Sequence, residues 1–218
     1  MPDREINKLT LYGSSISGNC LKPKWTADLL NVKYDWVEMD LLAGESRTPE
    51  FLAINPAGQV PVLRVPARGA IDQSNAIMMF IAEGEDSDLI PNNRFKRAQM
   101  MGWLFWEQYS HETAIAVRRF RKSALNLPDD EIDPSLLPKG YAALQHMEDQ
   151  LDGQDWICGD AMTLADIALV AYTRVAHEGG FELAPYPRVI DWITTTETAL
   201  NISHARDGVL SSPQGATS

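Results

Sequence analysis

KLTLYGSSISGNCLKPKWTADLLNVKYDWVEMD, residues 8–40, decides how this chain folds. Residues 8–12 alternate apolar and polar, the period of a short strand. A polar, glycine-containing loop follows from Gly13 to Asn19. Leu21, Trp25 and Leu29 then recur at four-residue steps, so 21–31 reads as a helix with one apolar face. Pro23 fits that helix only in its first turn, which predicts a start near Cys20 or Leu21. YDWVEMD, 34–40, reads as a second strand. Strand, helix, strand in so short a stretch is a βαβ unit with parallel strands and a right-handed crossover.

Working outward, a loop at 41–59 leads to VPVLRV (60–65), a turn at 66–69 and a short strand from Ala70 to Asp72. Two tightly joined strands extend the same sheet as a hairpin. Ser74 is the expected N-cap of a helix over 75–84, which Gly84 closes. EDSDLIPNN then reads as a linker. Beyond it the pattern is helical, with helices expected near 93–124, 136–152, 163–178 and 187–200. The polar break NLPDDEIDPS (126–135) separates the first two. The reading is an α/β domain at 1–85, an all-α domain at 92–203, and a small, polar, mobile tail at 204–218.

Composition narrows the function. The chain has 218 residues, 44% of them hydrophobic and 22% charged, which is ordinary for a globular protein. Nineteen bases against thirty acids give a net charge of −11, the wrong sign for a protein that neutralises phosphates, so nucleic acid is not expected as a partner. No apolar run reaches the roughly 18 residues of a spanning helix, and MPDREINK has no apolar signal core. Neither membrane association nor export is expected. Two cysteines make no disulfide framework, and a reducing cytoplasm fits best.

Three places offer chemistry, and a fourth is a folding device. The loop Ser14–Cys20 lies at the carboxyl end of the first strand, over a helix N-terminus, where free N–H groups stabilise an anion such as a thiolate. Ser17 and Asn19 can each donate a hydrogen bond to sulfur, and both are also ordinary loop and capping residues. Val60-Pro61 stands at a strand start; a cis bond there presents the Val60 backbone as an edge for a peptide-like ligand. Asp72-Gln73-Ser74 opens the next helix, whose N-terminus can hold a carboxylate. Thr163-Leu-Ala-Asp166 is a capping box, with Met162 and Ile167 as its hydrophobic staple, and has no catalytic part. Ser17-Gly-Asn-Cys20 has the spacing of a C-x-x-C motif with serine in the nucleophilic place. Cys20 reads first as a small buried helix residue, and as a thiol-exchange group only in second place. Cys158 reads as structural. The basic run Arg118, Arg119, Arg121 and Lys122 reads as a solvated helix end.

The chain resembles cytosolic glutathione transferases of the bacterial, serine-type, delta-, theta- and zeta-like kind. The resemblance spans roughly 8–200. It rests on LYGSSISGNCLK, AGESRTPEFLAINPAGQVPVL (43–63), DQSNAI (72–77) and WICGDAMTLADIAL (156–169), in that order. It implies a thioredoxin-like first domain that binds glutathione as cosubstrate, a helical second domain, and no metal. Ser17 and Asn19 would stabilise the glutathione thiolate, and Val60, ahead of a cis Pro61, would pair with its cysteinyl part. Gln73 and Ser74 would hold the γ-glutamyl end. Gln59, Ser46 and Arg47 lie where the glycine carboxylate is met. Many relatives have Glu at the place of Gln73, and insect delta-like enzymes have a histidine at the place of Ser46. Trp106, Tyr109 and His111 would line a pocket for a small electrophile between the first loop and the long helix. The implied activity is glutathione transfer in detoxification by a cytoplasmic homodimer. Two alternatives are a glutathione-dependent disulfide reductase or peroxidase, and a glutathione-binding module without turnover.

Overall fold

The computed structural model describes residues 8–85 and 87–203; the expected tail at 204–218 lies outside the described residues. The described chain divides into two compact units. One holds the residues up to Phe105 together with Met162–Ala171, the other Trp106–Ala161 and the residues from Tyr172 on.

The first unit is built on a four-stranded sheet in the order β2-β1-β3-β4, with β1 at Leu9–Gly13, β2 at Tyr34–Glu38, β3 at Val62–Val65 and β4 at Gly69–Asp72. β1 and β2 run parallel, Leu9 opposite Tyr34, as the βαβ reading requires. β3 is antiparallel to β1, Leu63 opposite Leu11, and β4 is antiparallel to β3. The ladder of β3 begins at Val62 rather than at residue 60, because Pro61 has no N–H to give it.

Helix α1 spans Gly18–Leu29 with Ser17 as N-cap. It starts before the expected Cys20, so Pro23 falls in the second turn and offers no N–H to the Asn19 carbonyl. The loop at 41–59 is partly helical: a 3-10 turn at Glu45–Arg47 leads into α2, Pro49–Leu52, whose N-cap Thr48 accepts a hydrogen bond from the Phe51 N–H. These turns are too short to show a period. Helix α3, Ser74–Gly84, has Gln73 as its N-cap, not Ser74; Gln73 has φ 68° and no side-chain capping bond. Against one face of the sheet Leu9, Leu11, Leu63 and Val65 pack with Ala27 of α1 and Ile77 and Ile81 of α3. Against the other, Met39, Phe51 and Val62 form a smaller cluster, where the Tyr12 ring meets Phe51 edge-on at 5.9 Å.

The expected helix at 93–124 is continuous but not uniformly α. Helix α4 is Arg94–Trp106, a π turn covers Glu107–His111, α5 is Glu112–Arg119, and a second π turn covers Phe120–Ala124. Helix α7, Leu164–Thr173, is apolar on nearly all sides, and Leu164–Val170 has no exposed surface, the partnered Asp166 included. Its capping box forms as expected: the Asp166 carboxylate accepts from the Thr163 N–H at 2.8 Å, and Thr163 Oγ1 accepts from the Ala165 N–H at 3.2 Å. It gives way at Thr173 to a 3-10 turn, Ala176–Gly179, short of the expected residue 178 as an α-helix.

In the second unit, α6 (Leu136–Gln150) packs on α5 and on α8 (Pro187–Ala199). Gly140 lets the Phe181 ring lie against α6; a Cβ there would fall 2.3 Å from it. Three residues of the basic run at 118–122 are tied down by hydrogen bonds rather than left solvated. Arg118, only 6% exposed, donates to the Gly179 carbonyl and to Asp129, Lys122 donates to Asp129, and Arg119 to Glu178. Glu178 and Gly179 come from a segment distant in sequence, and Asp129 from the break just beyond the helix, 7 residues after Lys122; none of them carries a periodic signal.

Candidate active site

The loop from Gly13 to Ser17 is set by three constraints. Gly13 admits no side chain, since a Cβ would lie 2.5 Å from the Trp36 ring and 2.9 Å from Cys20 Cβ. The Ser17 N–H donates to the Ser14 carbonyl at 3.0 Å, and the Ser17 carbonyl accepts from Cys20 and Leu21, starting α1. Glu38, at the end of β2, then pins the outer part of the loop. Its carboxylate accepts from the Ser15 N–H at 2.7 Å, the Ser15 hydroxyl at 3.1 Å, the Ser14 hydroxyl at 3.4 Å and the Trp36 indole at 2.7 Å. Burial works against its charge, but these donors outweigh it and hold the carboxyl below the ordinary glutamate range.

Ser17 is extended (φ −97°, ψ 115°), half-buried, and makes no side-chain capping bond to the helix. Cys20 is fully buried beneath it. Burial pushes the Cys20 thiol up, although the Ser17 hydroxyl and the Ser14 backbone act in the other direction. A neutral thiol is not a nucleophile, so Cys20 is held as a packed helix residue.

Asn19 links α1 to α3. Its Oδ1 accepts from Lys22 Nζ at 2.7 Å and from the Ser74 hydroxyl at 3.2 Å. Ser74 is therefore buried as a side-chain donor in the first turn of α3 rather than a cap. Gln73 beside it is exposed, and its positive φ turns the chain from β4 into α3. Such a backbone is uncommon for a residue with a side chain and tends to occur where a site demands it.

The Val60–Pro61 peptide is cis. Val60 lies just ahead of the β3 ladder, and the segment leading to it is fixed by buried Asn55, which donates to the Gln59 carbonyl at 2.8 Å and accepts from the Ala57 N–H at 3.2 Å. Ser46 is buried; Arg47 is exposed and donates to the Ala57 carbonyl at 3.1 Å. Ser17, Asn19, Val60, Gln73 and Ser74 thus all lie on the first unit. Glu38, Lys22 and Asn55 are the supporting residues that the sequence reading passed over. Asn55-Pro with Gly58 following was a turn signal; for the other two nothing local points to their partners.

The remaining three residues belong to the second unit. Trp106 and Tyr109 line a cavity of about 470 Å³ with Ser110, Thr113, Lys139 and His146. The His146 ring lies 4.9 Å from Trp106. His111 does not line it. It is fully buried, with Nε2 2.8 Å from Thr173 Oγ1. Among the described residues no group of three or more His, Cys, Asp or Glu is arranged to hold a metal, and no helix is long and apolar enough to cross a membrane.

A mixed sheet with a βαβ start and a cis-proline strand, followed by helices, defines a thioredoxin-like domain joined to a helical one. Residues 7–83 match the glutathione S-transferase N-terminal domain family and residues 109–198 the glutathione S-transferase C-terminal domain family. A glutathione S-transferase from Pseudomonas fluorescens is 41% identical, with 87% of this chain and 94% of that one covered and a TM-score of 0.83. One from Xanthobacter autotrophicus is 37% identical, covering 93% and 100%, also with a TM-score of 0.83. Glutathione S-transferase D6 of Drosophila melanogaster is 27% identical over 186 residues, 84% of this chain and 85% of that one. The chain belongs to the glutathione S-transferase family. It is a transferase whose cosubstrate is glutathione.

Proposed function

We propose that the enzyme joins the glutathione sulfur to a small electrophile in detoxification, as a cytoplasmic homodimer, and that the thiol is ionised at the start of α1. The observation that carries this is Ser17: a half-buried hydroxyl at the N-terminus of α1 that is not spent on capping the helix. An ordinary thiol has a pKa near 8.5, so only about 3% is thiolate at pH 7. The Ser17 hydroxyl, the Asn19 amide and the helix N–H groups favour the anion, and each pKa unit removed raises the thiolate fraction about tenfold. Ser17 acts as a donor and keeps its own proton. The thiol proton leaves to solvent, the thiolate attacks an electrophilic carbon, a C–S bond forms, and the leaving group departs with its electron pair.

The other contacts follow the layout of the first unit. The Val60 backbone pairs with the cysteinyl part, Gln73 and Ser74 hold the γ-glutamyl end, and Gln59, Ser46 and Arg47 meet the glycine carboxylate. Trp106 and Tyr109 offer aromatic surface to the electrophile, with His111 behind them. The neutral, buried Cys20 weighs against the disulfide reductase reading, which needs a thiolate.

Calorimetric titration with glutathione at pH 7, in buffers of different ionisation enthalpy, tests the reading. Proton release on binding is expected, reduced in Ser17→Ala. Tight binding with no proton released overturns it.

A further inference from the structure

Lys22 has no exposed surface, and it is among the largest fully buried side chains among the described residues. Burying an ammonium is costly unless it is compensated. Its place adds to that cost: side chains on a helix lean toward the N-terminus, so the charge is carried back into the first turn of α1, where the helix dipole disfavours a cation. A position that breaks two local rules at once marks a functional or strained site.

The Lys22 ammonium donates to the Oδ1 of Asn19, one turn earlier on the same face, at 2.7 Å. An ammonium only donates, so the amide must present its oxygen to Lys22. The Ser74 hydroxyl meets the same oxygen at 3.2 Å. With both donors on Oδ1, the N–H2 end of the planar amide is turned away from them. The charge also reaches sulfur at this loop, since Lys22 acts on the neighbouring Cys20 thiol in the sense opposite to Glu38.

We propose that Lys22 is a positioning residue for glutathione: its buried ammonium orients the Asn19 amide as a donor to the bound sulfur and supplies positive charge that favours the ionised form. This rests on the assignment of Ser17 and Asn19 above. Among the described residues, several other charged groups around α1 are engaged elsewhere. Lys24 pairs with Asp28 on α1, Asp35 of β2 pairs with Lys8, Glu83 of α3 pairs with Arg97, Glu38 is held by the loop, and burial pushes the Cys20 thiol up.

The test is the pH titration of enzyme-bound glutathione, followed by thiolate absorbance in the ultraviolet. In Lys22→Met the midpoint rises by about one pH unit, a roughly tenfold loss of thiolate on the acid side. Lys22→Gln, which keeps a donor for Asn19 without the charge, rises similarly, and Lys22→Arg recovers most of the shift. Binding of S-methylglutathione, which has no proton to lose, stays within about threefold of wild type. Midpoints unchanged in the Met and Gln variants overturn the role of Lys22 alone. Wild-type protein that binds glutathione without ionising it overturns the site assignment itself.

Discussion

Ser17 and Gln73 carry opposite kinds of local cost. Ser17 withholds its hydroxyl from the backbone of the helix it caps, giving up a bond worth about 1 kcal/mol at such positions, and turns it toward the Cys20 sulfur instead. Ser17→Ala is expected to lower kcat/KM about 100-fold and to move the acid limb of its pH profile upward, because one preorganised donor to developing charge is gone. Steady-state kinetics across pH 5–9 measure both. Gln73 pays in backbone strain instead, at φ 68°. Gln73→Gly relieves the strain but removes the side chain proposed to hold the γ-glutamyl end. Stability is expected to hold or rise by up to about 1 kcal/mol in urea unfolding, while glutathione affinity falls by tenfold or more. Equal losses of both would show that Gln73 is held for folding.

At the scale of elements, the loop between β1 and α1 is anchored from β2 through Glu38. Its carboxyl lies below the ordinary glutamate value in the folded protein, so the stability it adds is fully present above the unfolded value of about 4.3. That contribution is lost as the pH falls through the folded value. Glu38→Gln is therefore expected to show a shallower loss of urea midpoint between pH 5 and 3 than wild type, with turnover reduced at pH 7 because the loop carrying Ser17 is loosened. An identical pH dependence in the two proteins would refute the anchoring. The two π turns that interrupt α4 and α5 lie beside aromatic and basic clusters, Trp106–His146 and Arg118–Lys122–Asp129.

For the molecule as a whole, the described chain forms two compact units. In the second unit Gly140 sits inside α6, where Ala ordinarily stabilises a helix by about 1 kcal/mol. Here the added methyl would meet the Phe181 ring at 2.3 Å, and overpacking of that kind costs about 1–3 kcal/mol. Gly140→Ala is expected to lower the thermal midpoint, the reverse of the propensity rule. A raised midpoint would show that Phe181 moves aside freely. The homodimer is tested by sedimentation equilibrium at micromolar concentration, where a single species of twice the chain mass is expected.

Periodicity and punctuation in one sequence settled a good deal. The strand at Leu9, the presence of a helix after the first loop, the hairpin after Pro61, the helical second half and the Thr163–Asp166 capping box all follow from contacts within a few residues, and their signals are local; the face α1 buries, with Lys22, Thr26 and Ala27 rather than Leu21 and Leu29, does not. The order of four short motifs pointed to the family and to Ser17. Tertiary structure alone decided the rest. Ser74 is a donor to Asn19 rather than a cap, Arg118 is buried against Asp129 and Gly179, and Lys22, which looks like any surface lysine, is sealed from solvent. Each of these turns on a partner brought close by the fold, or on solvent excluded by it, and neither leaves a pattern along the chain.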